Sequence, residues 1–247
     1  MNSLKKIFDR DTWDEIFESI SKNRTRTIIT SIGVFWGIFI YIALAGSATG
    51  LENGFDDAFS GLSKNSMGVW VQRTSIPYKG FEEGRYPVFK LNDVDYLKSR
   101  VPEIEYIAPG LQAGAFTGSP PLVVRGLKSD NFNVFGNFPV YAKISVINIF
   151  DGGRYINDDD IKYERKVAVI GEGTQERLFN VGEDPIGKYI RINDVNFMVV
   201  GVTKFTEGSG FGSDSDITIP YTTFAKMYNR GDQFGFMFIS GYEYVNP

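Results

Sequence analysis

From Thr27 to Leu51 the chain reads TIITSIGVFWGIFIYIALAGSATGL, 25 residues without a charged side chain. Lys22, Arg24 and Arg26 stand before it; Glu52, Asp56 and Asp57 follow. The run lacks the polar stripe of a helix lying on a soluble core. As a helix it rises about 37 Å at roughly 1.5 Å per residue, enough to cross a hydrocarbon layer of about 30 Å with some tilt. A signal peptide has a short basic start and an apolar core of about 7–15 residues. Here 26 residues come first, five of them acidic, so an uncleaved anchor is expected despite the small residues Ala43-Leu44-Ala45. The basic flank predicts a cytoplasmic N-terminus, with everything after Leu51 outside.

Shorter periodicities flank the run. Trp13, Ile16, Phe17 and Ile20 recur at i, i+3, i+4 and i+7, after a Thr12-Trp13-Asp14-Glu15 capping box. They predict an amphipathic helix within the cytoplasmic segment 1–26, resting in the headgroups or docked on a partner. Gly33 and Gly37 form a small-xxx-small pair that lets a neighbouring helix come close in lipid, and Gly46 and Gly50 repeat it. Leu51, Phe55, Ala58, Phe59 and Leu62 keep a helical spacing, which predicts a stalk over 52–64.

From there to residue 247 the pattern alternates between strand and helix. Strands are expected at Val69–Gln72, Ile104–Ile107, Val123–Val124, Lys166–Ile170, Ile217–Ile219 and Phe236–Ile239. Tyr189–Ile192 and Val195–Val202 read as a hairpin around Asn193-Asp194. Helices are expected after Asn92 as N-cap, over Thr174–Phe179 and over Thr222–Tyr228, and Thr206–Ser215 as a mobile loop. The class is α+β: one transmembrane helix (27–51) and a mixed α/β outer domain (52–247).

Composition narrows the chemistry. The chain has no cysteine and no histidine, which excludes disulfides, thiolate or His-ligated zinc, and Ser-His-Asp or Cys-His nucleophile systems. After residue 26 there are 20 basic and 25 acidic side chains, so no basic face for nucleic acid is expected. Gly182-Glu-Asp-Pro-Ile-Gly187-Lys188 fits G-x-x-x-x-G-K, but Tyr189 replaces the magnesium-binding hydroxyl and a strand follows instead of a helix. It is read as a glycine turn, as is Gly171-Glu-Gly173. Asp158-Asp159-Asp160 lacks calcium-loop spacing and reads as a solvated acidic loop. Glu82-Glu83 and Glu103/Glu105 are not brought to a cleft by any pattern. No catalytic residue, cofactor or metal site is assigned.

Several stretches resemble one family. Asn23-Arg-Thr-Arg-Thr-Ile-Ile-Thr-Ser-Ile-Gly-Val34 is similar to the entry of the first membrane helix of MacB-like (FtsX-like) ABC transporter permeases. Leu91 to Pro109, Gly153-Arg154, Lys166 to Gly171, Leu178-Phe179, Asp184 to Lys188, Ile190 to Ile192 and Phe197 to Val202 resemble their periplasmic core in order and spacing. The resemblance implies a non-catalytic permease subunit in a bacterial inner membrane. Its periplasmic domain would have a βαβ porter part and an inserted β-rich part, roughly 112–225. Implied partners are a cytoplasmic ATPase subunit, a second permease copy, membrane lipid, and a periplasmic adaptor with an outer-membrane duct. The resemblance places Trp13, Ile16, Phe17 and Ile20 where the ATPase would dock. Such permeases have four membrane helices and this chain has one, so it is read as the N-terminal portion of a longer protein, unable to transport alone. A single-pass anchored binding or sensor protein with the same fold, or an anchored hydrolase, fits the residue pattern as well.

Overall fold

The computed structural model describes residues 10–59, 65–114, 118–205 and 212–242. It divides into two units, Met1–Phe55 and Asp56–Pro247.

The first unit is helical. α1 spans Arg10–Lys22 and α2 spans Arg24–Phe59, with Asn23 between them. Thr12, expected at the helix start, therefore lies inside α1. The connection between the two helices is one residue, because helical backbone continues on both sides of Asn23. Arg24–Phe55 is long and apolar enough to cross a membrane. Its hydroxyls are hidden locally: Thr30, Ser47 and Thr49 donate to carbonyls four residues earlier, at 2.9, 2.8 and 3.1 Å. Such bonds satisfy a polar group where lipid offers no partner. α2 continues through Phe59, and the rest of the expected stalk, 60–64, lies outside the described residues.

The second unit is a mixed α/β domain. In chain order it has β1 (Ser66–Trp70), β2 (Phe89–Lys90), α3 (Leu91–Arg100), β3 (Ile104–Ala113), β4 (Leu122–Arg125), β5 (Lys128–Asn131), β6 (Val134–Asn137), α4 (Tyr141–Ile144) and α5 (Asp158–Lys162). Then come β7 (Val167–Gly171), α6 (Glu172–Leu178), β8 (Tyr189–Ile192), β9 (Val195–Thr203), β10 (Ile217–Pro220), α7 (Tyr221–Met227), β11 (Gln233–Phe234) and β12 (Phe236–Gly241). Ten strands form one sheet in the order β1-β12-β3-β6-β10-β7-β9-β8-β4-β5, and β2 pairs with β11 separately. β6–β10 and β7–β9 are parallel; the other pairs in the sheet are antiparallel.

The sheet is covered on both faces, and β7 shows how. All five of its residues are buried. Ala168 and Ile170 join the larger core under α3, α6 and α7, with Phe224, Leu178 and Leu97. Val167 and Val169 point the other way and pack on Ile156 and Val200. A strand buried on both faces reads as a continuous apolar run rather than an alternating one. β8 alternates instead, with Ile190 and Ile192 buried and Tyr189 and Arg191 exposed. Its hairpin to β9 turns on Asn193 (φ 42°) and Asp194 (φ 68°), the two left-handed positions of a type I′ turn.

Several expected boundaries move. β1 is Ser66–Trp70, fixed by its register on β12 from Ser66 opposite Ser240 to Trp70 opposite Phe236. β3 runs through Pro109 to Ala113, beyond the expected end at Ile107; its β6 register begins at Gly110, so the proline interrupts no pairing on that side. Asn92 lies inside α3, not at its cap. Asp93 reaches back to accept the Lys90 N–H at 2.8 Å, satisfying a donor that the helix leaves free. Asp158-Asp159-Asp160 is the first turn of α5, not a solvated loop. Of the expected mobile loop, 206–211 lie outside the described residues.

Candidate functional site

The stripe expected to dock a partner lies on α1. Trp13, Phe17 and Ile20 are exposed, and the Trp13 and Phe17 rings lie one turn apart with centroids 6.3 Å from each other. Ile16 belongs to the same helix; its side chain is outside the described set. Gly33 and Gly37 lie in α2 with open space wherever a Cβ would project.

In the second unit, the motif residues that carried the resemblance turn out to hold the backbone together. Arg154 donates to Asp160 at 2.6 and 3.1 Å, and Arg165 at 3.5 Å. The Asn157 N–H adds a bond of 3.0 Å, while Asn157 Oδ1 caps the Asp160 N–H. Asp160 has no exposed side-chain surface. Burial opposes its ionisation, but the Arg154 and Arg165 guanidiniums and the Asn157 N–H together hold its carboxyl below the usual range. The Arg154 N–H donates to the Val200 carbonyl at 2.8 Å. A Cβ on Gly201 would fall on the Arg154 carbonyl oxygen, so this crossing needs glycine.

The apparent phosphate loop is a turn between α6 and β8. Gly182 and Gly187 both sit at φ 77°. Lys188 donates to Glu183 within the same turn at 2.6 Å, and Arg125 grips Glu183 at 2.5 and 3.3 Å. Lys188, the Asn180 N–H and Arg125 lower the Glu183 pKa to about 2. The cation that a nucleotide would need is thus already engaged. Gly187 donates to Val199 and Val199 to Lys188, both at 2.8 Å, which stitches the turn onto β9.

One feature lay outside every sequence expectation: a cavity of about 360 Å³ on the sheet face opposite the larger core. Its apolar wall is aromatic, with Trp70, Phe236 and Phe238 in edge-to-face contact at 5.6 and 5.8 Å. Its polar side holds Asp216 and Tyr155. Asp216 accepts from the Ser213 N–H at 2.7 Å and from Asn133 Nδ2 at 3.2 Å. Burial, with Asp214 nearby, pushes its carboxyl above the usual range in spite of those bonds. The Tyr155 hydroxyl is buried without a hydrogen-bond partner among the described residues. Burial pushes the phenol up, with the neighbouring Asn137 and Thr218 side chains acting the other way. Among the described residues no cluster of His, Cys, Asp and Glu could hold a metal ion.

The chain thus joins an apolar helix of membrane length to a ten-stranded mixed α/β domain. Residues 27–241 match the model of the MacB-like periplasmic core domain, and the chain belongs to that family. The resemblance seen in the motifs is borne out. Among curated relatives, the macrolide export ATP-binding/permease protein MacB of Chlorobium phaeobacteroides is 27% identical over 212 residues, 85% of this chain and 31% of that protein. The pyoverdine export ATP-binding/permease protein PvdT of Pseudomonas entomophila is 25% identical over 205 residues, 81% of this chain and 29% of that protein. The chain thus spans about a third of the length of the relatives it matches. Among solved structures, the periplasmic region of MacB from Actinobacillus actinomycetemcomitans has a TM-score of 0.59 at 22% identity, covering 76% of this chain and 79% of that one. The extracellular domain of the transporter YknZ from Gram-positive bacteria has a TM-score of 0.55 at 17% identity, covering 73% and 85%. These two likenesses concern the fold.

Proposed function

We propose that this chain is the first membrane helix and outer domain of an ABC transporter permease subunit, non-catalytic in itself. A cytoplasmic ATPase drives it, a second permease copy completes it, and movement of the outer domain exports or releases cargo beyond the membrane. The observation that supports this most is continuous family likeness from residue 27 to 241, which joins the apolar helix and the mixed domain in one unit shared with relatives named as export permeases.

In this reading the N-terminus is cytoplasmic, the domain is periplasmic in a bacterial inner membrane, and roughly residues 112–225 form the inserted β-rich part. α1 is the coupling element: Trp13, Ile16, Phe17 and Ile20 dock on the ATPase, and the single residue between α1 and α2 gives motion a short route to the span. Gly33 and Gly37 let a neighbouring membrane helix approach closely.

The coupling is tested in native membranes, with the intact permease carrying a photo-crosslinker at Ile20. An ATP-hydrolysing subunit should crosslink there. Burying large apolar side chains contributes roughly 1.5–3 kcal/mol each, so Ile16→Asp with Phe17→Asp should abolish the crosslink and uncouple hydrolysis from export. Crosslinks to lipid alone, with export intact in the double mutant, would reduce α1 to an anchor.

A further inference from the structure

The cavity beside Asp216 is built as a ligand site, and we propose that it binds a small amphipathic organic cation: an apolar body with an ammonium head. The proposal rests on this cavity alone and does not require the transport reading.

Three observations carry it. First, size: about 360 Å³ lies within the range of small-molecule pockets, roughly 300–1,000 Å³, and such pockets are mostly apolar with a few placed polar groups. The aromatic wall supplies the apolar part. Phe236 and Phe238 are 3% exposed, held rigidly by each other, by Trp70 and by Tyr141, whose ring lies 5.4 Å from Phe238. Gly110 makes this possible, since a Cβ there would run into the Phe236 ring.

Second, charge. Asp216 is a carboxyl short of a cation. None of the ion pairs among the described residues includes it, and its two bonds come from neutral donors. Lys204 lines the same cavity but makes no ion pair with Asp216. Asp214 adds to the local negative potential, and Asp216 in turn acts electrostatically on the Tyr141 phenol. A carboxylate facing aromatic rings is the arrangement that holds ammonium groups, by Coulomb attraction on one side and ring quadrupoles on the other.

Third, the buried Tyr155 hydroxyl has no partner among the described residues although it has one donor and one acceptor function to satisfy. A buried polar group without a bond costs stability, and an ammonium N–H or a water carried in with the ligand would relieve it.

The test uses the full chain in phosphatidylcholine nanodiscs, with Trp13→Phe and Trp36→Phe leaving Trp70 as the sole fluorophore under selective excitation. Phenylbutylamine, phenylbutanol and phenylbutyrate share one apolar body and differ in the head. The amine should shift Trp70 emission saturably, with affinity at least about tenfold above the alcohol and the acid. Asp216→Asn, nearly isosteric, should bring amine and alcohol within about twofold. Gln112→Phe narrows the cavity at a lining position other than Asp216 and should remove the Trp70 response to all three. Equal binding of amine and alcohol to the parent chain would overturn the proposal. So would a selective amine response that survives Gln112→Phe, which stands as the deciding variant if Asp216→Asn does not fold.

Discussion

Asp160 and Asp216 are two carboxyls withdrawn from water in opposite ways. Asp160 is met by two guanidiniums and a backbone N–H, and its folded pKa falls. A depressed value means stability present above the unfolded pKa and lost as pH falls through the folded one. Asp216 meets neutral donors and a neighbouring acid, and its pKa rises. A raised value means stability present below the unfolded pKa and lost as pH rises through the folded one. At neutral pH, Asp160→Asn should therefore cost about 3 kcal/mol, since it strands buried donors, while Asp216→Asn should leave the melting temperature unchanged or raise it. Urea unfolding at neutral pH checks both, and at acid pH the Asp160 difference should shrink. Gly201→Ala, which drives a methyl into the Arg154 backbone, should destabilise by about 3 kcal/mol with no change at the cavity. A normal urea midpoint for it would show that the crossing can relax.

Among the elements, those with strong periodicity were legible and those defined by partners were not. The α2 run, the buried β7 and the β8–β9 hairpin follow from apolar length, β-branched density and two left-handed turn residues. β5 reads Lys-Ser-Asp-Asn, four polar residues that become a strand only because β4 pairs with them at the edge of the sheet. The start of α5 looked like a solvated acid run because Arg154 and Arg165, which bury Asp160, are not revealed as its partners by periodicity. The cavity was illegible for the same reason: Trp70, Tyr155, Asp216 and Phe238 come from four separate stretches of chain. The glycines of α2 carry their own prediction. Gly33→Leu with Gly37→Leu should weaken self-association of the intact permease in membranes, read as lost energy transfer between labelled copies. Unchanged transfer would assign those glycines to ordinary membrane-helix composition.

For the whole molecule, length and family likeness converge. A helix of membrane length, a domain with its own covered sheet, and relatives about three times as long are the observations on which the permease proposal draws. Everything proposed about coupling requires the α1 stripe and the ten-stranded domain to lie on opposite sides of one bilayer. That rests on Lys22, Arg24 and Arg26 before the span and acids after it. The direct measurement places single cysteines at Ser3 and Ser129 of the otherwise cysteine-free chain and labels intact cells with a membrane-impermeant maleimide that reaches the periplasm. Ser129→Cys should label in intact cells and Ser3→Cys only after lysis. Labelling of both positions from the same side would contradict the single inside-to-outside span on which the permease reading stands.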